Sequence, residues 1–392
     1  MPNIPAGIDN FNYSACFSIA AAQGLRSLAP FEKRIVDGDD NNAPEPSGGL
    51  ASTLQTLFEQ MADGSKGPAD IRSFFEQCKK VCPELMREPY RQHDSQVLLE
   101  AVLDGLPSET RKMFQFKLRD SILCDNCNYV NRINTTDHML RLKIGAHPHP
   151  GEPVLVELHR EDVSEKWGIQ WDEEAFRGRR ELVVRSVSAG SKAALQLSGH
   201  IGWKCVRVND STSRIDMRQE MCQRRSVEMA LLPPESIANS SSDLDWLIKA
   251  TYCPQLNREV ISDYRCDECK ADTSCTRTTE IVSSMPSCLI VHIWRDMYFT
   301  GIKDTTYVSF DRYLNTFETP DGRQRYRLTG VVEHLGYSLN SGHYVAYVAR
   351  DDEEGPDGHE QWYFCSDSVV EPISYEEVAT KNAYMLFYVR TD

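Results

Sequence analysis

The sequence predicts an α+β protein. Apolar residues recur at helical spacing through residues 16–106, whereas beyond about residue 280 the texture changes to short runs of alternating, β-favouring residues. With 392 residues, 41% of them hydrophobic and 26% charged, the chain can bury a large core and divide into more than one domain. In residues 16–28, Phe17, Ala21, Leu25 and Leu28 lie near helical spacing with alanines between, which places Cys16 at a helix N-terminus. The run GDDNNAPEPSGG at 38–49 reads as a solvated loop. Residues 50–61, 69–80 and 94–106 read as helices, the last with Leu98, Leu99, Val102, Leu103 and Leu106 on one stripe. Between 153 and 233 strands are expected at VLVELH, LVVRSV, KCVRVND and VEMALL, with short helices at SKAALQL and near SRIDMRQEMCQR. The last part reads as strands at SCLIVHIW, TGVVEHL, HYVAYVA and YMLFYVR. No internal repeat is visible.

Composition narrows the setting. A formal charge of -15 argues against nucleic acid as the main ligand, because a phosphate backbone is held by Lys and Arg, and favours a partner with a basic face. No apolar run approaches the roughly 18 to 20 residues that span a bilayer, so a soluble protein is expected. Thirteen cysteines are an odd number, no N-terminal apolar segment precedes them, and four fall into two CxxC pairs. A reducing compartment, cytosol or nucleus, is the expectation.

Two constellations carry chemistry. A thiol becomes a nucleophile when a helix N-terminus and a neighbouring imidazolium lower its pKa, and Cys16 with the distant His343 offers that pairing. Taken singly, Cys16 reads more readily as a small buried hydrophobe and His343 as a structural histidine. The second constellation is Cys124-Asp-Asn-Cys127 with Cys266-Asp-Glu-Cys269, each pair offering two thiolates to one tetrahedral zinc. Four protein ligands leave no open position, so the site reads as structural. Redox use of CxxC belongs more often to a single motif in a βαβ setting. The knuckles are separated by 138 residues, counted from 127 to 266, so a domain is inserted between them.

The whole pattern resembles the ubiquitin-specific proteases. Gly7, Ile8, Asn10, Cys16, Phe17 and Gln23 follow the order of the family's Cys box, and QHDSQVLL at 92–99 is similar to its QQDAxEFL segment. Tyr326, Leu328, His334, Gly336, Gly342, His343, Tyr344, Trp362, Asp367, Val370, Tyr384, Leu386 and Tyr388 fall in register with its His box. The likeness covers residues 5–145 and about 240–390. It implies a papain-like cysteine peptidase with thumb, palm and zinc-ribbon fingers, which cuts after the C-terminal glycine of ubiquitin. Carried across, it makes Cys16 the nucleophile, His343 the base and later acid, and Cys124, Cys127, Cys266 and Cys269 the zinc ligands that support the fingers holding the body of ubiquitin. Asp94, Gly342 and Tyr384 are the implied contacts of the ubiquitin tail, Asp94 by pairing with its arginines. Asp94 also reads as an N-cap, and the two roles are compatible.

Three departures from the family pattern stand near the thiol. The slot commonly credited with orienting the imidazole holds Ser366, so Asp367 is expected to take that role, with Ser366 as an accessory orienter. The usual oxyanion asparagine, five residues before the cysteine, is Phe11 here, and Asn10 is the expected donor with Asn12 as the alternative. Val97 stands where the family carries Glu. These departures keep open a ubiquitin-binding scaffold without turnover, and an isopeptidase for another ubiquitin-like modifier is a third reading.

The inserted segment resembles a PDZ domain at WGI (167–169), VSAGSKAA (187–194) and IGWKCVRVND (201–210). Such a groove adds a C-terminal peptide as a strand, which makes a C-terminal peptide or protein the expected partner. A structural elaboration of the fingers is the alternative. The expected organisation is residues 1–151 and 235–392 as two parts of the catalytic domain, with 152–234 as the insert. Zinc is the only cofactor expected. Because the chain starts shortly before the Cys box, substrate choice is expected to come from the insert, the surface or separate partners.

Overall fold

The computed structural model describes residues 4–38, 49–89, 91–144, 153–177, 181–188, 191–197, 200, 202–232, 243–254, 256–295, 303–319, 322–338, 341–354 and 360–391. All counts below are of those residues. Apart from its two end residues, the loop expected at 38–49 lies outside them, as do Ala189, Gly190 and Ile201 of the PDZ-like motifs. The chain divides into two units: Met1–Arg119, Asn134–Ile144 and Ile281–Asp392 form the first, and Asp120–Ile133 and Gly145–Glu280 the second.

The first unit combines helices from the N-terminal part with a sheet from the C-terminal part. Every residue of the helix Cys16–Arg26 is buried, which its run of small and apolar residues permits. The helix expected over 16–28 ends earlier, and a second one, Ala29–Asp37, follows with Pro30 in its first turn. Proline has no N–H to continue the first helix but is preorganised to open the next. The helix Leu50–Met61 matches its expected span. The helix expected from residue 69 begins at Arg72 instead. Ala69 and Asp70 pair in parallel with Ile8 and Asp9, and the Asp70 carboxylate accepts from the backbone N–H of Arg72 at 2.9 Å. The helix Ser95–Gly105 is capped by Asp94, whose carboxylate accepts from Gln96 N.

Eight strands form the sheet of this unit. Their order is Val369–Ile373, Glu360–Ser366, Ser341–Glu354, Gly322–Ser338, Ala383–Arg390, Cys288–Trp294 and Leu140–Lys143, with Tyr313–Thr319 pairing Gly322–Ser338 off this path. Leu140–Lys143 runs parallel to its neighbour, and the other pairings are antiparallel. Phe17, Leu25, Phe31, Phe58 and Leu99 from the helices join Val332, Ala346 and Phe387 from the sheet in one buried cluster. At Gly24 the helix Cys16–Arg26 meets the sheet so closely that a Cβ would lie 2.4 Å from the Phe387 ring. This packing fixes the start of that helix against the central strands.

The second unit contains a five-stranded sheet of order Val154–His159, Ser226–Leu232, Lys204–Val208, Leu182–Val187 and Ile169–Trp171, with the helix Arg214–Gln223 beside it in sequence. Its core holds Leu158, Trp167, Val184, Leu197, Trp203, Met217, Met221 and Met229. A four-stranded sheet, whose residues fall partly in each unit, has the order Glu259–Arg265, Asp272–Ile281, Phe116–Cys124 and Val130–Asp137. No helix among the described residues is long and apolar enough to cross a membrane.

Candidate active site and metal centre

Cys16 is the first residue of its helix, is 1% exposed, and therefore meets the unpaired N–H groups of the first turn. The backbone N–H groups of Tyr344, Phe17 and Cys16 itself favour the thiolate, but burial outweighs them and raises the thiol pKa, with the charge of Asp367 adding to it. The lowered pKa expected from the helix N-terminus is thus corrected. Desolvation of a charged sulfur exceeds what the helix end returns. The contact from Tyr344 also places the residue after His343 against the sulfur.

His343 lies near the start of Ser341–Glu354, opposite Leu335 across the ladder. Its Nε2 is 2.9 Å from Ser366 Oγ, which leaves Nδ1 as the other face of the ring. Asp367, expected to orient the imidazole, takes a different place. It sits in the left-handed region at φ 50° in the turn between Glu360–Ser366 and Val369–Ile373. Its Oδ2 accepts from Asn10 Nδ2 at 3.0 Å, and its backbone carbonyl accepts from Ile8 N at 2.8 Å. Ser366, the last residue of its strand, reaches the ring, whereas the left-handed backbone of Asp367 in the turn directs its carboxylate to Asn10 of the N-terminal loop.

Asn10 is held at both ends, since its Oδ1 accepts from Ala15 N at 3.0 Å. Asn12 accepts from Ser14 N at 3.1 Å through Oδ1, while its Nδ2 is buried without a partner. Phe11, between them, packs its ring edge-on against Phe75 at 5.4 Å. The residue at the family's usual oxyanion position is therefore a core contact, and the two flanking amides face other directions.

Asp94 and Tyr384 come together: the Tyr384 hydroxyl donates to Asp94 Oδ2 at 2.6 Å, while Oδ1 takes the N-cap bond from Gln96 N at 2.7 Å. Burial raises the carboxyl pKa of Asp94 against the pull of these donors. Gly342 lies so close to its neighbours that a Cβ would meet Leu335 O at 2.3 Å and His334 Nε2 at 2.5 Å. Sequence reasoning passed over Gln92, whose side chain touches both Gly342 and the sulfur of Cys16. The available signal was its place as the first matching residue of QHDSQVLL, the segment similar to the family's QQDAxEFL.

In the second unit Cys124, Cys127, Cys266 and Cys269 place their sulfur atoms within 4.8 Å of one another. Cys124 and Cys269 are 3.9 Å apart, and Cys127 and Cys266 3.6 Å. A tetrahedron with metal–sulfur bonds of about 2.3 Å has edges of about 3.8 Å, so these sulfurs fit one metal ion. Both knuckles use the same backbone. Asn128 N and Lys270 N donate to the carbonyls of Cys124 and Cys266 at 2.9 and 3.0 Å, and Asn128 and Lys270 adopt φ of 60° and 58°. Each chain thereby turns sharply enough to present two thiols to one point. Asp125 ties the knuckles further, its Oδ2 accepting from Ser274 Oγ at 2.6 Å.

Comparison with known proteins agrees with this arrangement. The profile of the family "UCH: Ubiquitin carboxyl-terminal hydrolase" matches residues 6–388. Ubiquitin carboxyl-terminal hydrolase 25 of Arabidopsis thaliana is 31% identical over 134 residues, covering 33% of this chain and 19% of that protein. Ubiquitin carboxyl-terminal hydrolase 15 of Homo sapiens is 31% identical over 134 residues, 32% of this chain and 13% of that protein. The chain thus spans less than a fifth of the length of these relatives. A solved structure of the SAGA Ubp8/Sgf11/Sus1/Sgf73 DUB module bound to ubiquitin aldehyde superposes with a TM-score of 0.58 at 16% identity, covering 99% of this chain and 70% of that one. At that identity the likeness concerns the fold. The profile match extends over nearly the whole sequence, from the N-terminal thiol loop through His343 to the last strand, and the chain belongs to the ubiquitin carboxyl-terminal hydrolase family.

Proposed function

We propose that this chain is a cysteine-type deubiquitinase, which hydrolyses the isopeptide or peptide bond after the C-terminal glycine of ubiquitin. The observation that carries the reading is a buried thiol at a helix N-terminus, bridged by the Gln92 amide to Gly342, the residue before His343, whose imidazole meets Ser366. Family membership supports it, as does the likeness to DUB-module structures solved with ubiquitin aldehyde and with monoubiquitin.

Because the resting thiol favours its protonated form, His343 acts as a general base: it takes the Cys16 proton as the sulfur attacks the terminal carbonyl. The negative charge then developing on the carbonyl oxygen needs fixed donors. Asn10 suits that role, with Oδ1 pinned by Ala15 N and Nδ2 steadied by Asp367, since a second N–H on Nδ2 is left to donate. Asn12 is the second reading, favoured by its buried, unspent Nδ2. Collapse of the tetrahedral adduct expels the amine, which takes the proton from the imidazolium. Water, deprotonated by His343, then attacks the thioester, and the sulfur leaves with that proton. Asp94 and Tyr384, joined by their hydrogen bond, together with Gly342, are proposed to line the path of the ubiquitin tail.

The four cysteines are proposed to hold a structural zinc ion, which would supply folding energy and no chemistry. The five-stranded sheet of the insert supports the PDZ-like reading, because its first and last strands are adjacent and the short strand Ile169–Trp171 pairs on one side only. A C-terminal peptide on that edge is the proposed ligand. Arg160 is spent on the carbonyls of Glu165, Met221, Cys222 and Arg224, so a carboxylate there would rely on backbone amides. All thirteen cysteines are free thiols, which supports the proposed cytosolic or nuclear location.

A ubiquitin probe with a C-terminal electrophile tests the central proposal. Labelling that disappears in Cys16→Ala is expected. Ubiquitin binding without labelling would mean a scaffold, and labelling only by a different modifier would change the substrate.

A further inference from the structure

Gln92 takes no part in the reaction written above, yet its amide touches the Cys16 sulfur and the backbone of Gly342, the residue before His343. Its Oε1 accepts from Gly342 N at 3.0 Å, and its Nε2 donates to Gly342 O at 2.5 Å. These two groups belong to the peptide planes on either side of Gly342, and the second plane is also that of His343. A side-chain amide thus stands where a neighbouring strand would, and it fixes the backbone from which the imidazole projects. The same Nε2 is 3.8 Å from Cys16 Sγ. An amide nitrogen carries two hydrogens, so the bond to Gly342 and the contact to sulfur do not compete.

We propose that Gln92 is a positioning residue that sets the spacing between the Cys16 thiol and the His343 imidazole and steadies the sulfur once it is ionised. The proposal rests on the reading of Cys16 and His343 as nucleophile and base. A long N–H···S contact is weak for a neutral thiol and becomes charge-assisted for a thiolate. It therefore favours the charged form, in opposition to the burial that disfavours it. Because Gln92 sits two residues before the Asp94 cap, the helix Ser95–Gly105 holds its backbone in place. A simpler role, satisfying two backbone groups of Gly342, would stabilise the loop without affecting the sulfur. The two roles separate in the pH dependence of thiol reactivity.

The test uses the full chain, with Gln92→Leu and Gln92→Glu beside the wild type. Iodoacetamide alkylation is followed across pH by mass spectrometry of the peptide that contains Cys16, and hydrolysis of a fluorogenic ubiquitin C-terminal amide is followed in parallel. Loss of the charge-assisted contact is expected to lower kcat about 10- to 100-fold with KM within about threefold. The midpoint of alkylation is expected to rise by about one pH unit in Gln92→Leu. It should rise further in Gln92→Glu, which retains the size of the side chain but sets a negative charge beside the sulfur. Should Gln92→Leu fail to fold, Gln92→Met, of similar length and without an N–H, takes its place, because the charge in Gln92→Glu raises the midpoint whatever the native amide does. A wild-type alkylation midpoint in the folded variants overturns the proposal, as does a change confined to KM. Alkylation does not require ubiquitin, so an inactive wild type would remove the proposed function while the midpoints still decide the role of Gln92.

Discussion

Replacing Ser366 and Asp367 separately tests which neighbour serves the imidazole. Ser366→Ala removes the hydroxyl 2.9 Å from His343 Nε2. A neutral hydrogen bond contributes about 1 kcal/mol and one to a charged partner about 1.5 to 3 kcal/mol, so losing it as the imidazolium forms should lower kcat about 10- to 100-fold. Asp367→Asn preserves shape but turns the charge-assisted Asn10 bond, 3.0 Å long, into a neutral one. That change costs about 1 kcal/mol, or about fivefold in kcat if Asn10 supports the oxyanion. The same substitution removes the carboxylate charge that raises the Cys16 thiol, so alkylation at fixed pH should quicken while turnover falls. Ser366→Asp gives the imidazolium a charged acceptor and is expected to turn over at least as fast as the wild type. The assays are kcat on a fluorogenic ubiquitin amide and iodoacetamide modification of Cys16. A kcat within twofold of wild type for Ser366→Ala, together with a loss beyond 100-fold for Asp367→Asn, would refute the assignment and return the orienting role to Asp367.

Metal analysis should find one zinc per chain, and exhaustive chelation should unfold the strands that carry the knuckles, since structural zinc contributes roughly 10 to 16 kcal/mol of binding free energy. Far-UV dichroism before and after chelation checks this; unchanged structure without metal would exclude a structural ion. Burial, with the charges of Lys303 and His343, holds the pKa of His334 down to about 4. A histidine near 6.5 in the unfolded chain then gains its proton on unfolding, so the stability this conveys is complete above about pH 6.5 and lost as pH falls toward 4. About 2 kcal/mol should be gone by pH 5, read as a lower urea midpoint at pH 5 than at pH 7, with a smaller difference in His334→Gln. Gly342→Ala should lower kcat by about 100-fold or more, because its Cβ would press on Leu335 O and His334 Nε2 and displace the start of the His343 strand. Activity near wild type would show that the strand end moves freely.

Much of this molecule was legible in one dimension, and the remainder was lost for identifiable physical reasons. The stripe Leu98 to Leu106 and the strands around His343 follow from periodicity, because one buried face leaves a period in the sequence. The four cysteines were legible because thiolate spacing is set by the metal rather than by the fold. The break after Arg26 was marked by Pro30, which the apolar spacing of Leu25 and Leu28 concealed. The direction of the Cys16 pKa was not legible: helix position is local, but burial is set by residues hundreds of positions away. The exchange between Ser366 and Asp367 depends on one turn with a positive φ, and turn geometry decides which of two adjacent side chains faces the ring. Gln92 stood in a matched segment, but what it touches was hidden because its partners, Cys16 and Gly342, come from distant segments.

The pairing of Val154 with Leu231 carries a consequence for how this chain was built. The inserted sheet starts and ends on neighbouring strands, so its two ends emerge about 5 Å apart. A chain can depart and return at one point without stretching its host. Closing a longer flexible loop costs about 0.6 kcal/mol for each doubling of its length, roughly 2 kcal/mol between a short hairpin and 138 residues, and a folded segment with adjoining ends spares the metal site that cost. Residues 154–231 are therefore expected to be replaceable: a bridge of a few residues in their place should leave the remaining chain able to gather its four thiols, which metal content of the shortened protein checks.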